Sequence, residues 1–135
     1  MAEAGLWATV TALLAVALGS AAGGAARFLI SGLVARAVGE TFPWGTMAVN
    51  VTGALALGVL AGILDPATGG AAALLWQLAA TGFLGSYTTV SSFTLQTLAL
   101  AQEGEARRAA GNVALSLLFG LSAAAFGFVL AGGVA

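Results

Sequence analysis

Residues 81–96 read TGFLGSYTTVSSFTLQ, and the reading of this stretch decides the fold. It lies inside a long apolar run, yet Gly82, Gly85, Ser86, Thr88, Thr89, Ser91 and Ser92 crowd into it. In hydrocarbon, backbone that leaves the helix is tolerated only where protein buries it or where it lines a cavity. Two glycines three apart, followed by Thr-Thr and Ser-Ser, lower helix propensity enough to predict a broken membrane helix, with the break at Gly85 to Thr89. Freed carbonyls closing the first half suit a cation. Open N–H groups starting the second half suit an anion.

Composition supports a membrane setting. Of 135 residues, 60% are hydrophobic and 7% charged, and the mean hydropathy is +1.04, which leaves a soluble domain almost nothing to place in water. The length suits a single all-α integral membrane domain over 1–135, with four helices of roughly 20 residues or more. Cysteine and histidine are absent, which removes disulfides, thiolate chemistry and the common soft-metal ligands. A net charge of −1 with four arginines and no lysine is no nucleic-acid footprint.

Residues 1–5 lack the basic start of a cleaved signal peptide, so the first apolar run is expected to remain in the mature protein. Helices are expected at about 6–34, 45–64, 73–101 and 109–131. In the first, Gly19 with Gly23 and Ser20 with Gly24 form small-residue pairs four apart, read first as ordinary close helix packing. Gly58 and Gly62 repeat the pattern in the second. Arg27 lies within the first run at a costly depth, and either snorkels to the headgroups or serves an ion. Phe42 and Trp44 suit an interfacial belt. Thr46 and Asn50 share a face of the second helix, and the default reading of Asn50 is a hydrogen bond between helices, with an ion-facing amide as the alternative. In the third helix Thr89, Ser92, Phe93 and Gln96 make a polar face next to the break, which favours a permeation path. Asn112 and Ser116 stand one turn apart in the fourth.

Arg27 and the Tyr87 phenol are the only titratable side chains well inside an apolar run. A proton-coupled exporter needs an intramembrane carboxylate or an equivalent relay, and none is present. No nucleophile-base pair, metal cluster or phosphate-cradling loop points to an enzyme.

Three motifs, GGAARF at 23–28, PWGTMAVN at 43–50 and GFLGSYTTVSSF at 82–93, together resemble the Fluc (CrcB-type) fluoride channels in order and spacing across nearly the whole chain. The resemblance implies a passive fluoride channel in the cell membrane that protects against fluoride. It also implies an antiparallel, dual-topology homodimer with a sodium ion on its two-fold axis, held by backbone carbonyls of Gly85 and Thr88. Carried over position by position, the anion pathway falls on Thr46, Asn50, Ser91, Ser92 and Phe93, with Asn112 and Ser116 in the fourth helix and Arg27 at a vestibule. The family has two phenylalanines in the third helix, and the first is replaced here by Val90. Neutral hydroxyl and amide donors suit fluoride, which is small and tightly hydrated, whereas a formal charge in the narrow part would hold it too firmly.

Loops one and three hold Arg36, Arg107 and Arg108, while the termini and loop two hold no basic residue. This weak bias places both termini outside the cytoplasm. Together with Val90, it keeps a second reading open, in which the chain is half of a heterodimer with an oppositely oriented homologue. A small four-helix exporter stands third.

Overall fold

The computed structural model describes residues 2–133. Every regular element among them is helical. Helix α1 spans Ala2–Val38 and α2 spans Trp44–Ile63. A 3-10 turn at Pro66–Thr68, capped by the Asp65 carboxylate on the Ala67 N–H at 2.9 Å, leads into the third crossing. That crossing begins as α3 (Gly70–Trp76), widens into π-helical turns over Gln77–Leu84, and closes on one α turn, α4 (Gly85–Tyr87). It resumes as α5 (Val90–Gln102), and α6 (Ala106–Leu130) completes the chain.

Three uninterrupted helices, over Gly5–Val38, Trp44–Ile63 and Ala106–Leu130, are long and apolar enough to cross a membrane. The remaining crossing, third in chain order, is the interrupted one. Large apolar side chains such as Phe28 at 78% and Leu121 at 71% stand exposed on the outside, which only a lipid solvent or another helix makes tolerable. The chain is therefore a multi-pass membrane protein.

Without a hydrophobic drive between helices in lipid, close backbone contact has to hold them together. Glycine supplies it. A Cβ on Gly19 or Gly23 would overlap backbone of Leu78 or Phe83 in the π segment, and one on Gly82 would sit 2.7 Å from the Val16 carbonyl oxygen. Gly58 meets the Ala124 carbonyl in the same way, and Gly127 returns the contact at Leu55, which locks α2 to α6. The packing expected of Gly19/Gly23 and Gly58/Gly62 is thus observed, while Gly24 faces open space.

The break is narrower than the expected Gly85 to Thr89. Only Thr88 (φ −81°, ψ 161°) and Thr89 (φ −153°, ψ 121°) are extended, and Gly85 is helical at φ −61° and ψ −30°. The glycines misled the reading because Gly82 serves contact with α1 rather than chain reversal. Thr89 also leaves the expected polar helical face, since it is the N-cap of α5 and its hydroxyl accepts the Ser92 N–H at 3.2 Å.

Candidate ion pathway

Helix α2 holds both sides of the break. The Thr89 N–H donates to Asn50 Oδ1 at 2.7 Å, and Asn50 Nδ2 donates to the Thr89 carbonyl at 3.0 Å. Two residues on, the Thr52 and Tyr87 hydroxyls lie 2.9 Å apart, and the Tyr87 ring stacks on Phe83 at 5.7 Å between centroids. Gly53 lies between, where a Cβ would strike the Thr88 methyl. The amide of Asn50 therefore performs the bridging role that was its default reading, with one amide hydrogen to spare.

These bonds determine which carbonyls are left over. In a continuous helix the Thr89 N–H would bond to the Gly85 carbonyl and the Ser92 N–H to the Thr88 carbonyl. Asn50 takes the first donor and the Thr89 hydroxyl takes the second. Gly85 and Thr88 border one open hollow of about 340 Å³ on the outer face, with Asn50, Leu57 and Val90 around it. Neutral carbonyl oxygens are what a hard cation takes, so the residues present fit sodium. Such ions take several oxygens at once, more than these two carbonyls supply.

On the other side of the break lies a cavity of about 320 Å³, lined by Arg27, Ser31, Thr46, Thr89, Ser91 and Ser92 among others. Arg27 is the one ionisable group on its wall. The guanidinium reaches the Thr88 carbonyl at 3.4 Å, and the Thr89 and Ser91 hydroxyls lie 3.1 Å apart. The open first turn of α5 adds partial positive charge. A positive, hydroxyl-lined cavity is suited to a small anion.

This cavity abuts a larger vestibule of about 510 Å³, which shares Ser31, Thr46 and Ser92 with it and opens between Glu40 of loop one and Glu103 at the end of α5. Gln96 lines the vestibule, and its Oε1 is buried without a partner among the described residues. Ser31 escaped the sequence reading; its hydroxyl donates to the Arg27 carbonyl at 2.6 Å. The signal was its place one turn after Arg27.

The remaining expected residues lie elsewhere. Asn50 and Val90 border the outer hollow, and Val90 is 77% exposed. Phe93 is half-buried and borders none of these three cavities. Asn112 is 1% exposed and donates to the Thr97 hydroxyl at 2.8 Å, with Ser116 donating to its Oδ1 at 3.5 Å. Within one chain, that pair ties α6 to α5.

A multi-pass helical protein with an interrupted crossing, a positive polar cavity on one side and freed carbonyls on the other has the architecture of a small ion-conducting membrane protein. The profile of the family described as CrcB-like protein, Camphor Resistance (CrcB), matches residues 14–128, and the chain belongs to that family. It is 57% identical over 123 residues to the fluoride-specific ion channel FluC 2 of Rhodopseudomonas palustris, covering 90% of this chain and 94% of the relative. It is 50% identical over 135 residues to FluC 2 of Bradyrhizobium diazoefficiens, covering 99% and 98%. A fluoride-specific ion channel FluC of Opitutus terrae is 45% identical over 128 residues, covering 90% and 92%.

Proposed function

We propose that this chain is a passive, fluoride-selective channel of the cell membrane, not an enzyme, and that it lets fluoride leave the cell before it accumulates. The observation that carries the reading is the cavity of Arg27, Thr46, Ser91 and Ser92 beside the break, in a chain whose relatives are named fluoride-specific ion channels. Fluoride surrenders its water only to directed donors, which the three hydroxyls and the first turn of α5 offer. Arg27 draws the anion in as the one formal charge on that cavity's wall.

The working unit in this reading is an antiparallel homodimer. Two carbonyls per chain suffice for a cation only if a second copy brings two more, and a two-fold interface does that by presenting the same patch twice. The exposed Val90 and Leu57 around the hollow (77% and 41%) favour that face for the contact. When bound, sodium supplies a fixed positive charge at the interface. Apart from the aromatic replaced by Val90, the chain carries the polar pathway positions, Phe93 and both carbonyls itself, which favours a homodimer over pairing with a homologue. In the assembled dimer, Asn50, Phe93, Asn112 and Ser116 complete the path.

A pH electrode and a fluoride electrode in one suspension of sealed vesicles test the mechanism. Fluoride should move down its gradient with chloride largely excluded and no obligatory proton movement. Strict proton coupling would establish an exporter instead.

A further inference from the structure

Resting on the cation site proposed above, we propose that Arg27 and the bound cation share the Thr88 carbonyl, so that the guanidinium sets how tightly the cation is held. Thr89 lines both cavities, and Thr88 precedes it on the side of the outer hollow. Thr88 borders the outer hollow together with Gly85, while Arg27 borders the inner cavity together with Ser91 and Ser92. Arg27 Nη1 donates to the Thr88 oxygen at 3.4 Å, a long bond that leaves a lone pair on the oxygen for another partner. Among the described residues the only ion pair is Arg108 with Glu105 at 3.6 Å, so no carboxylate neutralises Arg27.

Two positive charges drawing on one carbonyl oxygen repel each other, and the repulsion is strong where water is scarce. A cation in the hollow weakens the hold of Arg27 on Thr88 and leaves the guanidinium freer to face the inner cavity. An anion in that cavity draws Arg27 from the carbonyl and tightens the cation. The coupling is reciprocal, since each ion changes the affinity of the other by the same factor. Arg27 is a positioning residue in this scheme, linking cation occupancy to readiness for the anion.

The test is a sodium titration of the purified full chain in detergent, with choline replacing sodium, read as the thermal unfolding midpoint. Arg27→Gln should lower the sodium concentration for half-maximal stabilisation by on the order of tenfold, because it removes the competing charge. Arg27→Lys keeps the charge and should stay near the parent chain. Excess fluoride in place of chloride should lower the sodium requirement of the parent but not of Arg27→Gln. An arginine that merely orients Thr88 would instead raise the requirement when removed. An unchanged or raised requirement in Arg27→Gln overturns the coupling while leaving the cation site standing. A parent chain indifferent to sodium overturns the site itself and the coupling with it. If Arg27→Gln does not fold, Arg27→Met is titrated in its place, and failure of both to fold in excess sodium makes the arginine structural and the proposal wrong.

Discussion

Asn50 and Thr89 are joined by two hydrogen bonds, in which the side-chain amide of α2 takes the N–H and the carbonyl of one residue at the break. Asn50 Oδ1 therefore takes the Thr89 N–H in place of the Gly85 carbonyl of the preceding turn, and the chain can leave the helix without orphaning that donor, while Nδ2 adds a second bond to the carbonyl that opens α5.

Replacing Asn50 by Leu removes a donor and an acceptor at nearly constant volume. The orphaned Thr89 N–H costs roughly 1–3 kcal/mol, so Asn50→Leu should unfold more readily in detergent as well as stop conducting. Thermal unfolding alongside fluoride efflux checks this. A variant with parent stability and normal efflux would show that Thr89 finds other partners.

The two glycines of the central motif should respond in opposite ways. Gly82→Ala places a Cβ 2.7 Å from the Val16 carbonyl oxygen, overpacking that costs about 1–3 kcal/mol. For Gly85→Ala the nearest neighbour of the added Cβ is the Ala80 carbonyl oxygen at 3.8 Å, an ordinary contact, so the fold should be nearly indifferent, within roughly 0.5 kcal/mol. Unfolding midpoints of both variants test the contrast, and crosslinking of Gly85→Ala reports whether this face also meets a second copy.

Thr89→Ala removes the N-cap of α5 at a cost of about 1 kcal/mol, and it leaves the Ser92 N–H at the break without its partner. Both stability and the response to sodium should fall, whereas Thr89→Ser should keep both. Identical behaviour of the two variants in a sodium titration would remove the hydroxyl from the account.

Much of this was legible in the residues, and the limits are physical. Low charge with long apolar runs means membrane whatever the packing, and Thr88-Thr89 marked the interruption by propensity. Its exact place was not legible, because the Gly82 signal reflects a partner helix that local propensity does not contain. The π turns over 77–84 have no composition of their own. The pairing of Asn112 with Thr97 depends on how α6 lies against α5, and the double bond from Asn50 to Thr89 depends on α2 reaching the break. Arg27 and Ser92 stand out from the residues themselves, the resemblance adds Thr46 and Ser91 as pathway positions, and the fold brings all four to one cavity.

Val90 is where this chain departs from the pattern it resembles. It is 77% exposed beside the hollow, so Val90→Phe adds a ring without displacing the core, and its electropositive edge can face an anion. Fluoride flux should rise in Val90→Phe and nearly vanish when Phe93→Val is made on the native Val90 background. Equal flux from the parent and both variants would take the aromatic edges out of the path.

The most direct measurement is fluoride efflux, followed with an electrode, from liposomes that contain only this purified chain, loaded with fluoride or with chloride and given no proton gradient. The account predicts rapid fluoride release, little chloride release and no need for a second protein. Silence towards fluoride, or equal release of both anions, would contradict it.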